Sequence, residues 1–252
     1  IKSDLIRVED EIGGLSAGVA KAQAFAKDDP GSSIYDLESA DLYQKAGKGA
    51  EAIALLEKGL AARPADDNLR VGLARLYNET GNEAKAEAVL NDRLKTDPSS
   101  YALQMALAAL YLDAKKHDAA TAQYTRLLAA RPADPAVLNN LAWLYQQKGD
   151  LKKAYELAQR AVAAAPSAPQ IDDTFGWILL AQGDTGKAVT YLTAANVSAP
   201  TDPAIQYHLA VALNRAGRAG DAQAMLEKLL ASGTSFADKA DAEKLLQQLK
   251  RG

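Results

Sequence analysis

The stretch LAARPAD occurs at residues 60–66 and again at residues 128–134, sixty-eight residues later. Its proline belongs to a series that recurs every 34 residues. A second proline series has the same spacing, and together the two series contain all nine prolines of the chain. Self-similarity at a fixed period of about 20 to 50 residues is typical of arrays of small repeated units. The sequence therefore predicts a chain built from a unit of 34 residues. The first series is Pro30, Pro64, Pro98, Pro132, Pro166 and Pro200, and the second is Pro135, Pro169 and Pro203.

The composition favours helices and argues against several classes of function. Of the 252 residues, 48% are apolar, with alanine a large share of them, and only 6% are aromatic. The net charge of −3 and the absence of a run of lysine or arginine argue against nucleic-acid binding. No stretch approaches about 18 consecutive apolar residues, so no membrane-spanning segment is expected. The absence of cysteine excludes disulfides and thiolate chemistry.

The turns of the unit can be predicted from two positions. If the first proline series is position 32, position 34 holds serine or aspartate in five of six units, which is typical of a helix N-cap. Position 15 is glycine in every unit except at Lys115, and glycine there ends a helix in a left-handed conformation. Each unit is therefore predicted to contain a helix A, a tight turn, a helix B and a proline-marked turn. The units are residues 33–66, 67–100, 101–134, 135–168, 169–202 and 203–234, and the N-caps are Ser32, Asp66, Ser100, Asp134 and Asp202, with Ala168 in the same column.

Two further positions predict how the helices pack. Position 8 is alanine or glycine in every unit and position 20 is always alanine. Small side chains at matched points allow two antiparallel helices to approach closely. Such short helices are marginal alone in water, so each pair must bury its remaining apolar face on the next pair. Position 20 is Ala52, Ala86, Ala120, Ala154, Ala188 and Ala222, and position 8 is Ala40, Ala74, Ala108, Ala142, Gly176 and Ala210.

The two ends of the chain depart from the regular unit. Residues 1–30 are predicted to form a degenerate N-terminal unit, with Leu5 at position 7, Gly13 at position 15 and Gly18 at position 20. Residues 236–250 carry apolar residues on one helical face and charges on the other, which predicts a capping helix. The apolar face of that helix consists of Ala242, Leu245, Leu246 and Leu249.

The pattern of small residues at positions 8 and 20, tyrosine at 11, glycine at 15 and proline at 32 resembles the tetratricopeptide repeat. The resemblance covers essentially the whole chain, residues 1–252. It implies an all-α fold, a right-handed superhelix of hairpins whose A helices line a concave groove for peptides or partner proteins. The departures are Lys115 at the glycine position and Asp36 and Arg70 at position 4, where a large apolar residue is usual.

A narrower resemblance concerns residues 173–184, 204–217 and 236–249. These stretches are similar to the C-terminal repeats of the tetratricopeptide lipoproteins of the PEP-CTERM system. That resemblance implies a periplasmic, envelope-associated scaffold connected with exopolysaccharide export or protein sorting. It also implies a lipid anchor upstream of Ile1.

Catalytic chemistry has little support in the sequence. The two histidines, His117 and His208, lie in different units without the spacing of a metal site, and no glycine-rich phosphate loop follows a strand. The carboxylates of Asp172 and Asp173 lie near the start of a helix, where negative charge is favourable. We therefore expect no enzyme activity, no metal site and no cofactor.

The binding surface is predicted from the positions that the resemblance places on the concave side, which are 2, 5, 6, 9, 12 and 13 of helix A. Position 9 is tryptophan in two successive units, and neighbouring A helices should lie about 10 Å apart, so the two rings would form consecutive rungs. Aromatic faces with amide and carboxylate neighbours suit an extended peptide or a sugar chain. The predicted binding residues are Asn139, Asn140, Trp143, Gln146, Asp173, Trp177, Tyr207 and His208.

Several alternatives remain open at this point. A tryptophan at position 9 either contacts a ligand or packs sideways on the next repeat. The leading hypothesis is a non-enzymatic scaffold that binds a protein or an extended peptide segment. The second is direct binding of a polysaccharide by the same residues, and the third is a generic cytoplasmic adaptor.

Overall fold

Fifteen α-helices joined by short turns make up the computed structural model, which describes residues 2–251, and this part of the chain contains no β-strand. The all-helical fold predicted from the sequence is confirmed. No helix within the described residues is both long and apolar enough to cross a membrane. The helices are α1 (Lys2–Gly13), α2 (Leu15–Asp28), α3 (Ile34–Lys45), α4 (Gly49–Ala62), α5 (Asp67–Glu79), α6 (Glu83–Leu94), α7 (Tyr101–Asp113), α8 (His117–Ala130), α9 (Pro135–Gln147), α10 (Leu151–Ala164), α11 (Pro169–Gln182), α12 (Thr185–Ser198), α13 (Pro203–Arg215), α14 (Ala219–Ala231) and α15 (Lys239–Leu249).

The chain divides into two compact units, a first unit up to Gln123 and a second unit from Tyr124 onward, with the division inside α8. In the first unit the A helices are α3, α5 and α7, and α5 packs on both α6 and α7. In the second unit the A helices are α9, α11 and α13, and α11 packs on α12 and on both neighbouring A helices. The single array over residues 1–252 stays a prediction.

Aspartate and serine cap the A helices as the sequence predicted. The hydroxyl of Ser100 accepts a hydrogen bond from the Leu103 amide at 3.5 Å, and Asp66, Asp134 and Asp202 cap their helices in the same way. The expectation that Ser32 is an N-cap is wrong, because α3 begins at Ile34 and Ser33 is its N-cap residue, without a side-chain cap. The Ser32 hydroxyl accepts a hydrogen bond from the Ile34 amide at 3.5 Å. Aspartates also cap two B helices, a feature that the sequence analysis missed. These caps are Asp150 on Lys153 and Asp184 on Lys187.

The residue at position 15 has a positive φ in every unit. Glycine meets this requirement without strain in five units, whereas Lys115 adopts a φ of 56° with a full side chain. Each tight turn between helix A and helix B therefore contains a left-handed residue at the same position of the unit. The five glycines are Gly47, Gly81, Gly149, Gly183 and Gly217.

The predicted close approach of helices A and B is confirmed. All six alanines at position 20 are fully buried. A Cβ atom built on Gly176, at position 8, would lie 2.7 Å from Cγ of Leu192 and 3.3 Å from the backbone oxygen of Ala188, at position 20. Positions 8 and 20 therefore face each other across the crossing of α11 and α12.

The polar residues at position 4 have a structural role that the sequence did not reveal. The guanidinium of Arg70 donates to the Pro64 carbonyl at 2.8 Å, and in other units Gln104 and Gln206 donate to the carbonyl of the proline six residues earlier. Asp36 instead pairs with Arg63, whose side chain donates to the Pro30 carbonyl at 3.1 Å. In these four units the polar side chain at position 4, or its ion-pair partner, satisfies the carbonyl of the proline turn.

The first hairpin differs from the predicted register by one residue. Ile6 is fully buried while Leu5 is 43% exposed, and Gly14, not Gly13, has the positive φ. Only Gly14 separates α1 from α2, whereas two or three residues separate the two helices of a regular unit, so the left-handed residue must be this one. The expectation that Leu5 and Gly13 occupy positions 7 and 15 is therefore wrong, although Gly18 does lie at a close contact, with Leu42. Ile1 lies outside the described residues.

The C-terminal helix is shorter than predicted. α15 begins at Lys239 rather than at Phe236, because residues 233–236 have no regular secondary structure and a turn follows in which the Lys239 amide donates to the Phe236 carbonyl at 3.3 Å. Ala242 is fully buried, and the three leucines of the predicted face are half-buried. The helix packs on α14, as a capping helix should.

Candidate functional site

All eight residues of the predicted binding surface lie in the second unit, on helices α9, α11 and α13. These helices contact one another in sequence, α9 with α11 and α11 with α13. The structure divides the eight residues into three groups. Three of them form a row along α9, one makes a contact with the helix of the preceding repeat, and four form a cluster between α11 and α13.

The first group, which we call the α9 row, consists of Asn139, Trp143 and Gln146. The spacing of four and three residues places them one after another on one face of a helix. The Trp143 side chain is 37% exposed, which makes it one of the few large apolar residues at the surface of the described chain. The Asn139 Oδ1 and Gln146 Oε1 atoms are buried, and no donor within residues 2–251 reaches either. The row thus combines an exposed ring with two acceptors that carry the cost of unmade hydrogen bonds.

Asn140 has a structural contact. Its Nδ2 atom donates to the hydroxyl of Tyr124 at 3.0 Å, and the Tyr124 ring is almost fully buried. This hydrogen bond joins α9 to the preceding B helix, α8. The side chain of Asn140 is therefore committed within the protein, which the sequence pattern could not show.

The remaining four residues, Asp173, Trp177, Tyr207 and His208, form the cluster between α11 and α13. His208 Nδ1 lies 2.9 Å and 3.0 Å from the two carboxylate oxygens of Asp173, and both side chains are largely buried. The indole of Trp177 stacks on the imidazole of His208, with 4.2 Å between ring centroids and 20° between planes. Trp177 is half-buried, so it packs on the next repeat, as one of the two alternatives for this position predicted.

Tyr207 extends the cluster toward the C-terminal helix. Its ring centroid lies 6.4 Å from that of Trp177 and 6.5 Å from that of Phe236, which stands just before α15. Burial raises the pKa of the Tyr207 hydroxyl, and the nearby charges of Asp241 and Asp238 add to the effect. Phe236 was assigned to the capping helix by sequence, and its position beside Tyr207 follows from the late start of α15.

A small cavity of about 110 Å³ connects the α9 row with the cluster between α11 and α13. Gln146, Trp177 and Arg215 line it, together with the backbone region of Leu180 and Ala181. Arg215 Nη1 donates to the Leu180 carbonyl at 3.2 Å, which holds the guanidinium at the wall. Arg215 occupies position 13, one of the positions assigned to the concave side, but the aromatic and amide pattern did not single it out.

The arrangement has the features of a binding surface. It offers one exposed indole, two carboxamides with unused acceptors and a guanidinium beside a small cavity. Within residues 2–251, no group of three or more histidine and carboxylate side chains is placed to hold a metal ion.

Comparison with known families agrees with the repeat geometry. The profile of the tetratricopeptide repeat family matches residues 43–110, 111–173 and 179–249. The chain belongs to the tetratricopeptide repeat family. Proteins of this family are generally non-enzymatic scaffolds that bind peptides or other proteins. No curated protein sequence matches the chain.

Several solved structures share the tetratricopeptide fold. A tetratricopeptide repeat protein from Parabacteroides merdae is 14% identical, with a TM-score of 0.69 over 99% of this chain and 98% of that one. A chain of the APC/C hetero-tetramer Cut9–Hcn1 is 16% identical, with a TM-score of 0.74, over 98% of this chain and 54% of that one. YrrB, described as a TPR protein with an unusual peptide-binding site, is 18% identical with a TM-score of 0.54 over 78% and 98% of the two chains. At these identities the similarity concerns the fold.

Proposed function

We propose that this tetratricopeptide repeat protein is a scaffold whose second unit binds an extended segment of a partner protein along α9, α11 and α13. The observation that carries the proposal is the α9 row. Asn139 Oδ1 and Gln146 Oε1 lack donors, and the exposed indole of Trp143 lies between them. An extended peptide offers what this row lacks, since its backbone carries N–H donors and its side chains can cover the ring.

The dimensions of the row agree with such a ligand. Gln146 follows Asn139 by seven residues on α9, which corresponds to a rise of roughly 10 Å along the helix axis. An extended chain covers that distance in about three residues. Asn139 and Gln146 are both partly exposed to solvent. Rotation of each terminal carboxamide would turn its oxygen toward the ligand and relieve the unmade hydrogen bond.

The cluster between α11 and α13 has a supporting role in this proposal. The Asp173–His208 hydrogen bonds and the stacked Trp177 fix the orientation of the two helices beside the row. A surface held in place before binding loses less conformational entropy when a partner is bound. The partner would therefore bind without refolding of the second unit.

The test uses peptides selected from a displayed library and titrated against the intrinsic tryptophan fluorescence of the full chain. We expect Trp143→Ala to lower the affinity for the selected peptides by about fivefold or more, since an interface tryptophan at a hot spot contributes above about 1 kcal/mol. Glu156→Ala, an exposed position on the B helix α10, is the matched control and should leave affinity unchanged. Equal affinity of the parent, Trp143→Ala and Trp177→Ala would rule out this surface.

Direct binding of a polysaccharide is the second candidate, because an exposed indole with carboxamides at both sides also suits the face and hydroxyls of a sugar. Calorimetric titration of the full chain with a panel of bacterial oligosaccharides tests it. Saturable heats that disappear in Trp143→Ala would favour sugar over peptide. A flat response across the panel would eliminate this candidate.

We also propose that the scaffold works at the bacterial cell envelope, in exopolysaccharide export or protein sorting, with a lipid anchor upstream of Ile1. Support comes from the likeness of residues 173–184, 204–217 and 236–249 to the repeats of PEP-CTERM-system lipoproteins. Fractionation of the native cells with an antibody against the chain tests the location. Recovery in the envelope fraction is expected, and recovery only in the cytoplasm would favour a generic adaptor instead.

A further inference from the structure

A cavity of about 320 Å³ lies in the first unit, between the A helices α5 and α7. Its size is at the lower end of the range for ligand pockets, about 300 to 1,000 Å³. The predicted binding surface of the second unit does not include it. We call it the first-unit pocket.

The floor of the first-unit pocket is apolar because its helices present small residues there. Val71, Ala74, Ala106 and Ala109 line it together with the buried side of Leu110. Ala109 is at position 9, where the second unit carries Trp143 and Trp177. The missing bulk of a ring at this position leaves the space open.

The rim carries more negative than positive charge. Glu79 and Asp113 stand at the edge of the pocket with a single cation, Arg75. Arg75 already forms ion pairs with two carboxylates, Glu79 at 3.1 Å and Asp41. Arg75 is thus shared by Glu79 and Asp41, and neither ion pair includes Asp113.

Asp113 is the carboxylate with the weakest compensation. It accepts a hydrogen bond from Nδ2 of Asn78 at 3.0 Å, and no lysine or arginine among residues 2–251 forms an ion pair with it. A neutral amide donor stabilises a carboxylate less than a charged one. The side chain can therefore still bind a cation at the pocket mouth.

We infer that the first-unit pocket binds the side chain of a lysine in a partner protein. The aliphatic stem of lysine would pack on the alanines of the floor, and its ammonium would reach Asp113 and Glu79 at the rim. An acidic side chain would be repelled by the same rim, and an uncharged aliphatic one would leave the carboxylates without a partner. The pocket thus selects for charge as well as for length.

This inference is independent of the binding surface proposed for the second unit, since the two sites share no residue. The probe is Nα-acetyl-lysine N-methylamide, titrated into the full chain with isotope-labelled alanine methyl groups and followed by NMR. We expect saturable shifts at the methyls of Ala74, Ala106 and Ala109. The norleucine analogue should bind about three- to fivefold more weakly, as the loss of an exposed ion pair predicts, and the glutamate analogue should not bind.

Two variants of the pocket sharpen the test. Asp113→Asn should lower the lysine affinity to that of norleucine, whereas Asp92→Asn, which changes an exposed carboxylate on α6, should not. Ala109→Trp should abolish binding by filling the space, and it repeats a residue that α9 carries at the same position. Circular dichroism and thermal melting show whether each variant is folded.

The outcomes separate the two proposals. The lysine pocket would be overturned if the lysine and norleucine probes bound equally, or if no saturable shift were seen. It would also be overturned if the shifts lay elsewhere in the chain, or if folded Ala109→Trp bound the lysine probe fully. Trp143→Ala should leave the lysine probe unaffected. If no peptide binds the second unit while the lysine probe still binds here, the proposed function fails and this inference stands.

Discussion

At the scale of single residues, Lys115 shows how a repeat tolerates a departure from its pattern. It stands where five other units have glycine, and it adopts the same left-handed conformation, with a φ of 56°. A side chain in this region costs about 1–2 kcal/mol. The packing of the two helices therefore determines the geometry of the turn, and Lys115 adopts a strained backbone conformation to fit it.

Lys115→Gly should stabilise the protein. Relief of the left-handed strain outweighs the extra entropy that glycine has in the unfolded chain, for a net gain of about 0.5–1 kcal/mol. Ala114→Gly is the control, because the φ of Ala114 is −75° and glycine there brings only the entropic loss. Urea denaturation measures both, and a loss of stability in Lys115→Gly would contradict the strain argument.

Asp172 is a second residue whose chemistry does not match its position. It is only 4% exposed, and burial raises the pKa of its carboxyl above the ordinary value of 3.8. The folded protein therefore binds more protons than the unfolded chain at pH values between the two pKa values. As pH rises through that window, the contribution of Asp172 to the free energy of unfolding falls.

Asp172→Gln should raise the free energy of unfolding by about 1 kcal/mol at neutral pH. It should also remove the decrease in that free energy as pH rises through the titration of Asp172. Glutamine is what Gln104 and Gln206 provide at this position, where each donates to a proline carbonyl. Asp221→Asn, at an exposed ion pair with Arg218, is the control and should change stability little. Urea titrations across the acidic to neutral range would decide, and an unchanged pH profile in Asp172→Gln would count against the buried charge.

At the scale of the element, the crossing of helix A and helix B is the most constrained contact in the unit. Gly176→Ala should cost about 1–3 kcal/mol, because the new methyl would lie 2.7 Å from Leu192. Ala154→Leu overpacks the same crossing in the preceding unit and should cost a similar, roughly 1–3 kcal/mol. Thermal melting of each variant measures the loss.

Gly186→Ala is the matched control for this crossing. It lies on α12, the same helix as Leu192, and a Cβ atom there meets nothing within 4 Å. Alanine should stabilise this exposed helical position by about 0.5–1 kcal/mol. If Gly176→Ala were as stable as Gly186→Ala, the alignment of positions 8 and 20 would have no energetic consequence.

At the scale of the whole molecule, the elements of regular units could be predicted because each depends on local chemistry at a fixed spacing. Glycine turns and alanine crossings follow from steric rules that hold for any neighbour. The first hairpin could not be placed correctly, because its shorter turn moves the register by one residue, to Ile6 and Gly14.

The candidate site was only partly predictable. The positions of the α9 row follow from helical periodicity, but the lack of donors at Asn139 and Gln146 depends on side-chain rotamers. The stacking of Trp177 on His208 depends on the residue that the next repeat supplies. The first-unit pocket could not be predicted because it is created by a small residue, Ala109, whereas binding surfaces are recognised in a sequence by large and polar residues.

The hydrogen bonds from position 4 to the proline carbonyls restrict how such a chain can change its length in evolution. Arg70 and Gln104 each bind the carbonyl of a proline six residues earlier, across the junction between two units. Duplication or loss of one whole unit keeps the 34-residue spacing, so a donor at position 4 stays six residues after the proline of the preceding unit. An insertion of a few residues at a junction would instead separate donor from acceptor. These hydrogen bonds are therefore compatible with changes of length in whole units of 34 residues, and not with changes of a few residues at a junction.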